Sequence, residues 1–255
     1  MAGFDEAHPD ISGGDVYNLE RLHERATPEQ QIALEALYAS FLRMRRRAEI
    51  AEEQRDASER EASMDAKTGI QGVRALDAKC KELDGRIAAL QYPESMDRRE
   101  LSPSPHFAVA FIDIDEFKSK INGVFGYSLG DVFIRHVARY LDESMREGDE
   151  VYRWGGDEFV ITLEGVSLGH EDDAKARIQG LFTQAVDGNL DEELVAQYCW
   201  AKGMTAEEVM SIVGSLRASV GIATYDSERH ESVQAMLLEA ETLMSRDKIA
   251  NGRGR

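Results

Sequence analysis

The sequence predicts an α/β protein of the α+β sandwich kind, with a mixed central sheet flanked by helices and an N-terminal helical region ahead of it. Three observations carry that expectation. Residues 29–63 contain neither glycine nor proline and repeat apolar side chains at helical spacing. From about residue 65, short apolar runs and amphipathic segments alternate in the order β-α-β-β-α-β. The adjacent Gly155 and Gly156 separate two apolar runs, as a tight hairpin requires.

In chain order, residues 1–14 read as a frayed end, and a short helix is expected over Asp15–Arg25. Thr27-Pro28-Glu29-Gln30 has the form of a helix start, with Thr27 as N-cap, Pro28 at the first helical position and Gln30 closing a capping box. Leu34, Leu37, Phe41, Met44, Ala48 and Ala51 then form a 3-4-3-4-3 seam that stops where Arg55 and Ser58 take the next core positions. About two and a half heptads leave two readings open, a coiled coil or an amphipathic helix packed on its own domain. The basic cluster Arg43 to Arg47 lies among glutamates and reads as a salt-bridged, solvated face.

The second region, residues 64–255, starts with a helix over about Val73–Leu90 and a polar loop bearing Pro93, Pro103 and Pro105. Phe107–Ile112 is a fully apolar strand ending in Asp113-Ile114-Asp115. A helix with one apolar face is expected over Asp131–Met145, and strands over Val151–Trp154 and Phe159–Leu163. Helices come next at about 171–186, 191–200 and 205–214, then a strand over Ser215–Thr224 and a closing helix over Glu231–Ile249.

The 255 residues carry 30 Lys and Arg against 48 Asp and Glu, a net charge of −18. Such a surface argues against general binding to nucleic acid or anionic membrane, both polyanions, yet leaves room for a local basic pocket for one nucleotide. The longest apolar run, Phe107–Ile112, falls far short of the roughly 20 residues that span a bilayer. The N-terminal stretch has neither the basic nor the apolar region of a signal peptide. Cys80 and Cys199 lack CxxC spacing, as expected for reduced thiols of a cytoplasmic protein, and no two histidines stand at zinc-ligand spacing.

The residues that carry chemistry cluster in two places. Asp157 and Glu158 come directly after the two hairpin glycines, and Asp113 and Asp115 end a strand roughly 40 residues upstream. Carboxylates at neighbouring strand ends, joined by loop carbonyls, suit Mg²⁺, which takes one or two protein carboxylates and completes its octahedron with phosphate oxygens. The bland alternative is two acidic turns on an acidic protein. Between them runs a segment rich in glycine and lysine, with Lys118, Lys120, Asn122, Gly126, Gly130 and Asp131. Backbone N–H groups and ammonium charges in such a segment can cradle phosphates. Asn122 and Asp131 suit a base edge, because a carboxylate accepts from guanine N1–H and N2–H₂ whereas adenine offers no such pair. Their alternative reading is a turn residue and a helix N-cap.

At this point the sequence resembles the GGDEF family of diguanylate cyclases. The pentapeptide stands intact as Gly155-Gly156-Asp157-Glu158-Phe159, with Asp-Ile-Asp-x-Phe-Lys at 113–118, Asn122, Gly130-Asp131 and Asp65-x-x-Thr68-Gly69-Ile70 around it. Ser219-Val220-Gly221-Ile222 is similar to the family's later Ser-Ile-Gly strand, and the likeness covers roughly residues 64–255. The resemblance implies a nucleotidyl-cyclase, palm-like domain that condenses two GTP into cyclic di-GMP. It implies Mg²⁺ or Mn²⁺ held by Asp113, the Ile114 carbonyl and Asp157, with Asp157 also accepting the proton of the attacking 3′-hydroxyl. By the same resemblance Lys118 and Lys248 contact phosphates, and Asn122 and Asp131 read guanine. Gly156, Glu158 and Arg253 complete the nucleotide contacts. One half-site per subunit implies a homodimer, here through the N-terminal helix. Arg146 and Asp149 match the family's Arg-x-x-Asp inhibitory motif, and Arg177 is a second candidate for that product-binding site. The competing reading is a turnover-deficient module that senses GTP or cyclic di-GMP; the intact acids favour the enzyme.

The sequence departs from the family pattern in several places. One residue is inserted between Lys118 and Asn122, which leaves open which lysine reaches phosphate. Tyr127 replaces a common histidine, Gly72-Val73 replaces Asn-Arg, and the stretch 184–215 is long, with an added helix. The C-terminal helix ends in a loosened form of the family motif, Ala240-Glu241…Lys248…Gly252-Arg253.

Overall fold

The computed structural model describes residues 27–92 and 104–252. The frayed start, the helix expected over Asp15–Arg25, the loop residues 93–103 and Arg253 lie outside the described residues. The chain divides into two compact units, residues 1–61 and 62–255.

The first unit contains most of α1 (Pro28–Ser63). Its start is the expected capping box: the Thr27 N–H donates to Gln30 Oε1 at 2.9 Å, and the Gln30 N–H donates to Thr27 Oγ1 at 3.4 Å. Arg45–Glu49 and Arg55–Glu59 pair at i,i+4 along the solvated face. No residue of α1 is buried, and Leu37, Phe41 and Met44 of the seam are 69, 51 and 64% exposed.

The second unit comprises α2 (Val73–Gln91), β1 (Phe107–Ile114), a π-helical segment (Phe117–Asn122) running into one further turn (Gly123–Phe125), and α3 (Tyr127–Glu143). Next come β2 (Glu150–Gly155), β3 (Glu158–Glu164), α4 (Glu171–Asp187), α5 (Glu192–Lys202), α6 (Ala206–Val213), β4 (Ala218–Thr224) and α7 (Val233–Ala250). The strands form one sheet in the order β2-β3-β1-β4. Every pairing among them is antiparallel, which corrects the expectation of a mixed sheet. The cause is topological. The helical crossover makes β2 parallel to β1, but the hairpin folds β3 back between them, so each strand meets only opposite neighbours. A parallel contact survives as a single bridge, Gln71 with Tyr152.

All of β1 is buried, and its period-2 alternation feeds two cores. Ala108, Ala110, Ile112 and Ile114 face Phe133, Val137, Ile178 and Phe182 of α3 and α4, while Phe107, Val109 and Phe111 face Leu76, Leu83 and Met236 of α2 and α7. Each fully buried Phe, Leu or Ile contributes about 1.5–3 kcal/mol, so covering both faces fixes the strand end on which the candidate site is built. Helix α7 can lie directly on β4 because residue 221 is glycine; a Cβ there would collide with the Ala240 carbonyl and the Met244 amide.

Helix α3 starts at Tyr127 rather than at Asp131. Gly126, at φ +91°, turns the chain into the helix four residues early. Asp131 is therefore inside the helix and not its N-cap.

Candidate functional site

The end of β1 and the β2–β3 turn meet side by side. Asp113 is registered opposite Glu158 across the β1–β3 ladder, and the Ile114 N–H donates to the Asp157 carbonyl at 3.2 Å. Gly156, at φ +57°, forms the turn with Asp157 in a conformation that side chains disfavour. Asp113 and Asp157 are only 6 and 8% exposed. Burial pushes the Asp113 carboxyl up, Lys248 pulls it back, and the charges of Asp157 and Asp115 add to the rise, so it sits above the ordinary carboxylate value. Glu158 is also raised, by burial first and then by Asp113, Asp157 and Glu241, against a lowering by Lys118.

Two lysines answer this crowding. Lys248, on the last turn of α7, donates to Asp113 Oδ2 at 2.5 Å. Burial alone would lower its ammonium, but Asp113, Asp115 and Asp157 hold it above the ordinary value. Lys118 lies 3.7 Å from Asp157 Oδ1 with its side chain 84% exposed. Lys120 is tied elsewhere, to Glu116 at 2.8 Å and to Ser215 Oγ at 3.1 Å. Of the two lysines around the inserted residue, Lys118 is the one facing the acids.

The insertion itself is visible as the π-helical segment Phe117–Asn122. A π turn takes up one residue more than an α turn, the room that one extra residue needs. Phe117 and Ile121 stay buried. Asn122 still packs on Gly130, where a Cβ would collide with its Oδ1. The segment begins at Glu116, which adopts the left-handed region at φ 60°, a conformation that costs roughly 1 kcal/mol in a residue with a Cβ.

Asn122 thus lies against Gly130, the residue that precedes Asp131 in α3. Asp131 is already engaged: Lys67 Nζ donates to its two oxygens at 2.8 and 3.0 Å. Arg135, one turn further along α3, donates to the Lys67 carbonyl at 2.8 Å. Sequence reasoning missed Lys67, although it stands inside the Asp65-x-x-Thr68 motif.

It missed Arg153 as well. This arginine is 7% exposed; its Nη1 donates to Asp65 Oδ1 at 2.8 Å and its Nη2 to the Gly156 carbonyl at 3.0 Å. Asp65 also accepts from the Thr68 amide and hydroxyl at 2.9 and 2.7 Å. Burial raises the Asp65 carboxyl, yet the bonds from Thr68 and Arg153 outweigh it and hold it below its ordinary value. The clasp fastens the start of the domain to the back of the hairpin turn. The signal was the placement of Arg153 two residues before the glycine pair, with an unexplained aspartate at the domain start.

The residues of the second candidate site are joined through Asp149, whose N–H donates to the Arg146 carbonyl at 3.0 Å. Asp149 is bonded at both oxygens, to the Glu164 N–H at 3.0 Å and to Arg177 Nη2 at 2.7 Å. Arg146 is exposed. Asp149 therefore pairs with Arg177 of α4, and not with Arg146 as an i,i+3 surface pair would.

Among the described residues, no three His, Cys, Asp or Glu side chains converge as a metal-holding group. The candidate donors are two carboxylates, Asp113 and Asp157, and the main-chain oxygen of Ile114. These are hard oxygen donors, and like charges crowded at low exposure favour a cation between them, so the set fits Mg²⁺ or Mn²⁺.

The second unit is a βαββαβ sandwich of the ferredoxin-like type, with an acidic cluster at the hairpin end of its sheet. The chain belongs to the family described as diguanylate cyclase, GGDEF domain, whose model matches residues 62–254. It is 31% identical over 176 residues to the bifunctional diguanylate cyclase/cyclic di-GMP phosphodiesterase MucR of Pseudomonas aeruginosa, a match covering 67% of this chain and 21% of MucR. With diguanylate cyclase DgcZ of Escherichia coli it shares 33% identity over 107 residues, 42% of this chain and 30% of DgcZ. The chain thus spans less than a third of either relative. Among solved structures, the coiled coil and GGDEF domain of DgcB from Caulobacter crescentus in complex with c-di-GMP superposes with a TM-score of 0.57 at 20% identity, over 86% of this chain and 97% of that one. Diguanylate cyclase SiaD of Pseudomonas aeruginosa, in complex with its activator SiaC, gives 0.55 at 22% identity over 94% and 82%. No helix among the described residues is long and apolar enough to cross a membrane.

Proposed function

We propose that the protein condenses two GTP into cyclic di-GMP with release of two pyrophosphates. The observation that carries this reading is the crowding of Asp113, Asp157 and Glu158 at one strand end, in a chain of the diguanylate cyclase family. In each half-reaction the 3′-oxygen of one GTP bonds to the α-phosphorus of another, the bond to pyrophosphate breaks, and the 3′-hydroxyl proton leaves to a base. Asp157, on the turn, is the group we assign as that base. Asp113, Asp157 and the Ile114 carbonyl would hold Mg²⁺ or Mn²⁺, which when bound neutralises phosphate charge.

The remaining residues bind and orient. Lys118 and Lys248 steady the phosphates, and the Gly156 backbone lets them approach the turn closely. Asn122 and Asp131 take the guanine edge, for which guanine competes with the Lys67 ammonium. A single chain carries one half-site, so two copies must face each other, and the exposed seam of α1 is the surface we assign to that pairing. We further assign the exposed Arg146, with Arg177, to a product-binding site that restrains turnover. Because both Asp149 oxygens are already bonded, that aspartate serves to hold Arg177 in place.

Incubation with GTP and Mg²⁺, followed by chromatography of the products, tests the reading. Cyclic di-GMP and pyrophosphate are the expected products. Saturable GTP binding with no product would replace the enzyme with a nucleotide sensor.

A further inference from the structure

Helix α7 delivers Lys248 to Asp113 from its last turn, two residues before its end at Ala250, where helices ordinarily fray. The residue immediately before it, Asp247, is 14% exposed at its side chain and accepts from three directions. Lys175 Nζ of α4 donates to its Oδ1 at 2.7 Å, and the Val220 N–H donates to its Oδ2 at 3.1 Å. Gln179 Nε2, also of α4, lies 3.4 Å from the same Oδ2 and donates to the Ala218 carbonyl at 3.2 Å.

Among the described residues β4 is an edge strand, so the Val220 amide and the Ala218 carbonyl face away from β1 and are not paired by a strand. Asp247 and Gln179 occupy them from the helices. The same carboxylate thus caps the sheet edge, pairs with α4 and tethers the end of α7. Lys248 loses side-chain entropy in holding one extended conformation, and a tether one residue away lowers that cost by fixing where its stem begins.

We infer that Asp247 is a positioning residue: by fastening the last turn of α7 to the β4 edge and to Lys175, it sets the Lys248 ammonium against Asp113 in the candidate site. The kinetic part of this inference rests on the cyclase reading; the tether itself does not.

The test is a cycle of four proteins: wild type, Asp247→Ala, Lys248→Ala and the double variant. Each is measured for kcat and KM with GTP and Mg²⁺, and by amide hydrogen exchange without nucleotide. Asp247→Ala is expected to lower kcat/KM about tenfold, the scale of one charge-assisted contact at the site. In the Lys248→Ala background the same change should cost less than about twofold, because a residue that acts through Lys248 has nothing left to position. Exchange should quicken at Val220 and in the last turn of α7 while β1 keeps its protection. Asp247→Asn, which retains an oxygen for the Val220 N–H, should recover part of both effects. An Asp247→Ala protein with unchanged kinetics, or one whose loss multiplies in full with that of Lys248→Ala, overturns the positioning role. If the wild type consumes no GTP, the cyclase reading falls, and exchange alone decides the tether. Faster exchange confined to Val220 and the α7 terminus then supports it, and unchanged exchange there overturns it.

Discussion

The two sides of the β2–β3 turn use the same residue types to opposite ends. Behind the turn, Asp65 has its carboxylate met by Thr68 and by a buried arginine, and its proton affinity is lowered. In front, Asp113 and Glu158 crowd against Asp157, and their proton affinity is raised despite two nearby lysines. A carboxylate supplied with donors is scaffold. One whose donors are outweighed by burial and by neighbours of its own kind is poised for a cation or a proton. On the proposed reading, chemistry falls to the acids whose burial and like charges outweigh their donors, and stability to those whose donors win.

The sharpest way to break this contrast is Asp157→Asn. Turnover of GTP should fall about 10³-fold or more, since the change removes both the assigned base and a metal donor. Thermal melting of the same protein should occur at or above the wild-type temperature, because a like charge beside Asp113 and Glu158 is gone. A well-folded variant with undiminished turnover would falsify the assignment.

Asp131 is the intermediate case, half exposed and, among the described residues, paired with Lys67. If it reads guanine, Asp131→Ala should shrink the preference for GTP over ATP by about 10²-fold. Competition kinetics with both nucleotides measure this, and an unchanged ratio would leave Asp131 a surface ion pair.

Asp65→Ala should cost about 2 kcal/mol of stability through loss of the Arg153 clasp. The direction of the shift sets its pH dependence. A carboxyl whose folded pKa is lowered stabilises above its ordinary value near 4, and that contribution is lost as pH falls through the folded value. The gap between wild-type and variant melting temperatures should be wide at pH 7 and close below about pH 4; a constant gap would mean the ion pair is not its source.

The smallest expected effect lies at the second candidate site, around Arg146, Asp149 and Arg177. Asp149 is satisfied, so the contrast drawn above makes it structural and leaves ligand contact to the arginines. Arg146→Ala should weaken inhibition by cyclic di-GMP about tenfold while sparing initial rates. Titration calorimetry that finds equal product affinity in both proteins would remove the site.

Much of the fold was legible because local chemistry and global topology agree. The capping box at Thr27, the buried strand from Phe107 and the glycine hairpin are each fixed by residues within a turn of one another. The helices over 171–214 appear close to where their apolar spacing put them. The features that stayed hidden are long-range or geometric. Asp65 and Arg153 meet across 88 positions, and Lys67 and Asp131 across 64, separations that no periodicity encodes. The purely antiparallel sheet depends on where β3 inserts, which strand order along the chain leaves open. The family motif names candidate residues, but whether each is free or already bonded is a matter of three-dimensional placement: Asp113 with Lys248, Asp131 with Lys67, Asp149 with Arg177.

The π-helical segment acts as slack in the chain. Because Phe117–Asn122 absorbs its extra residue by widening, the buried anchors at either end keep their seats and the downstream site keeps its alignment. The length of this connector is thereby uncoupled from the placement of Asn122. Losing Ser119 would tighten the turn toward an ordinary helix and leave the anchors seated, while swinging the lysines about the axis. A change in chain length here would retune which lysine faces Asp157 and leave Asn122 packed on Gly130. Such a segment can be edited one residue at a time without dismantling the parts it connects.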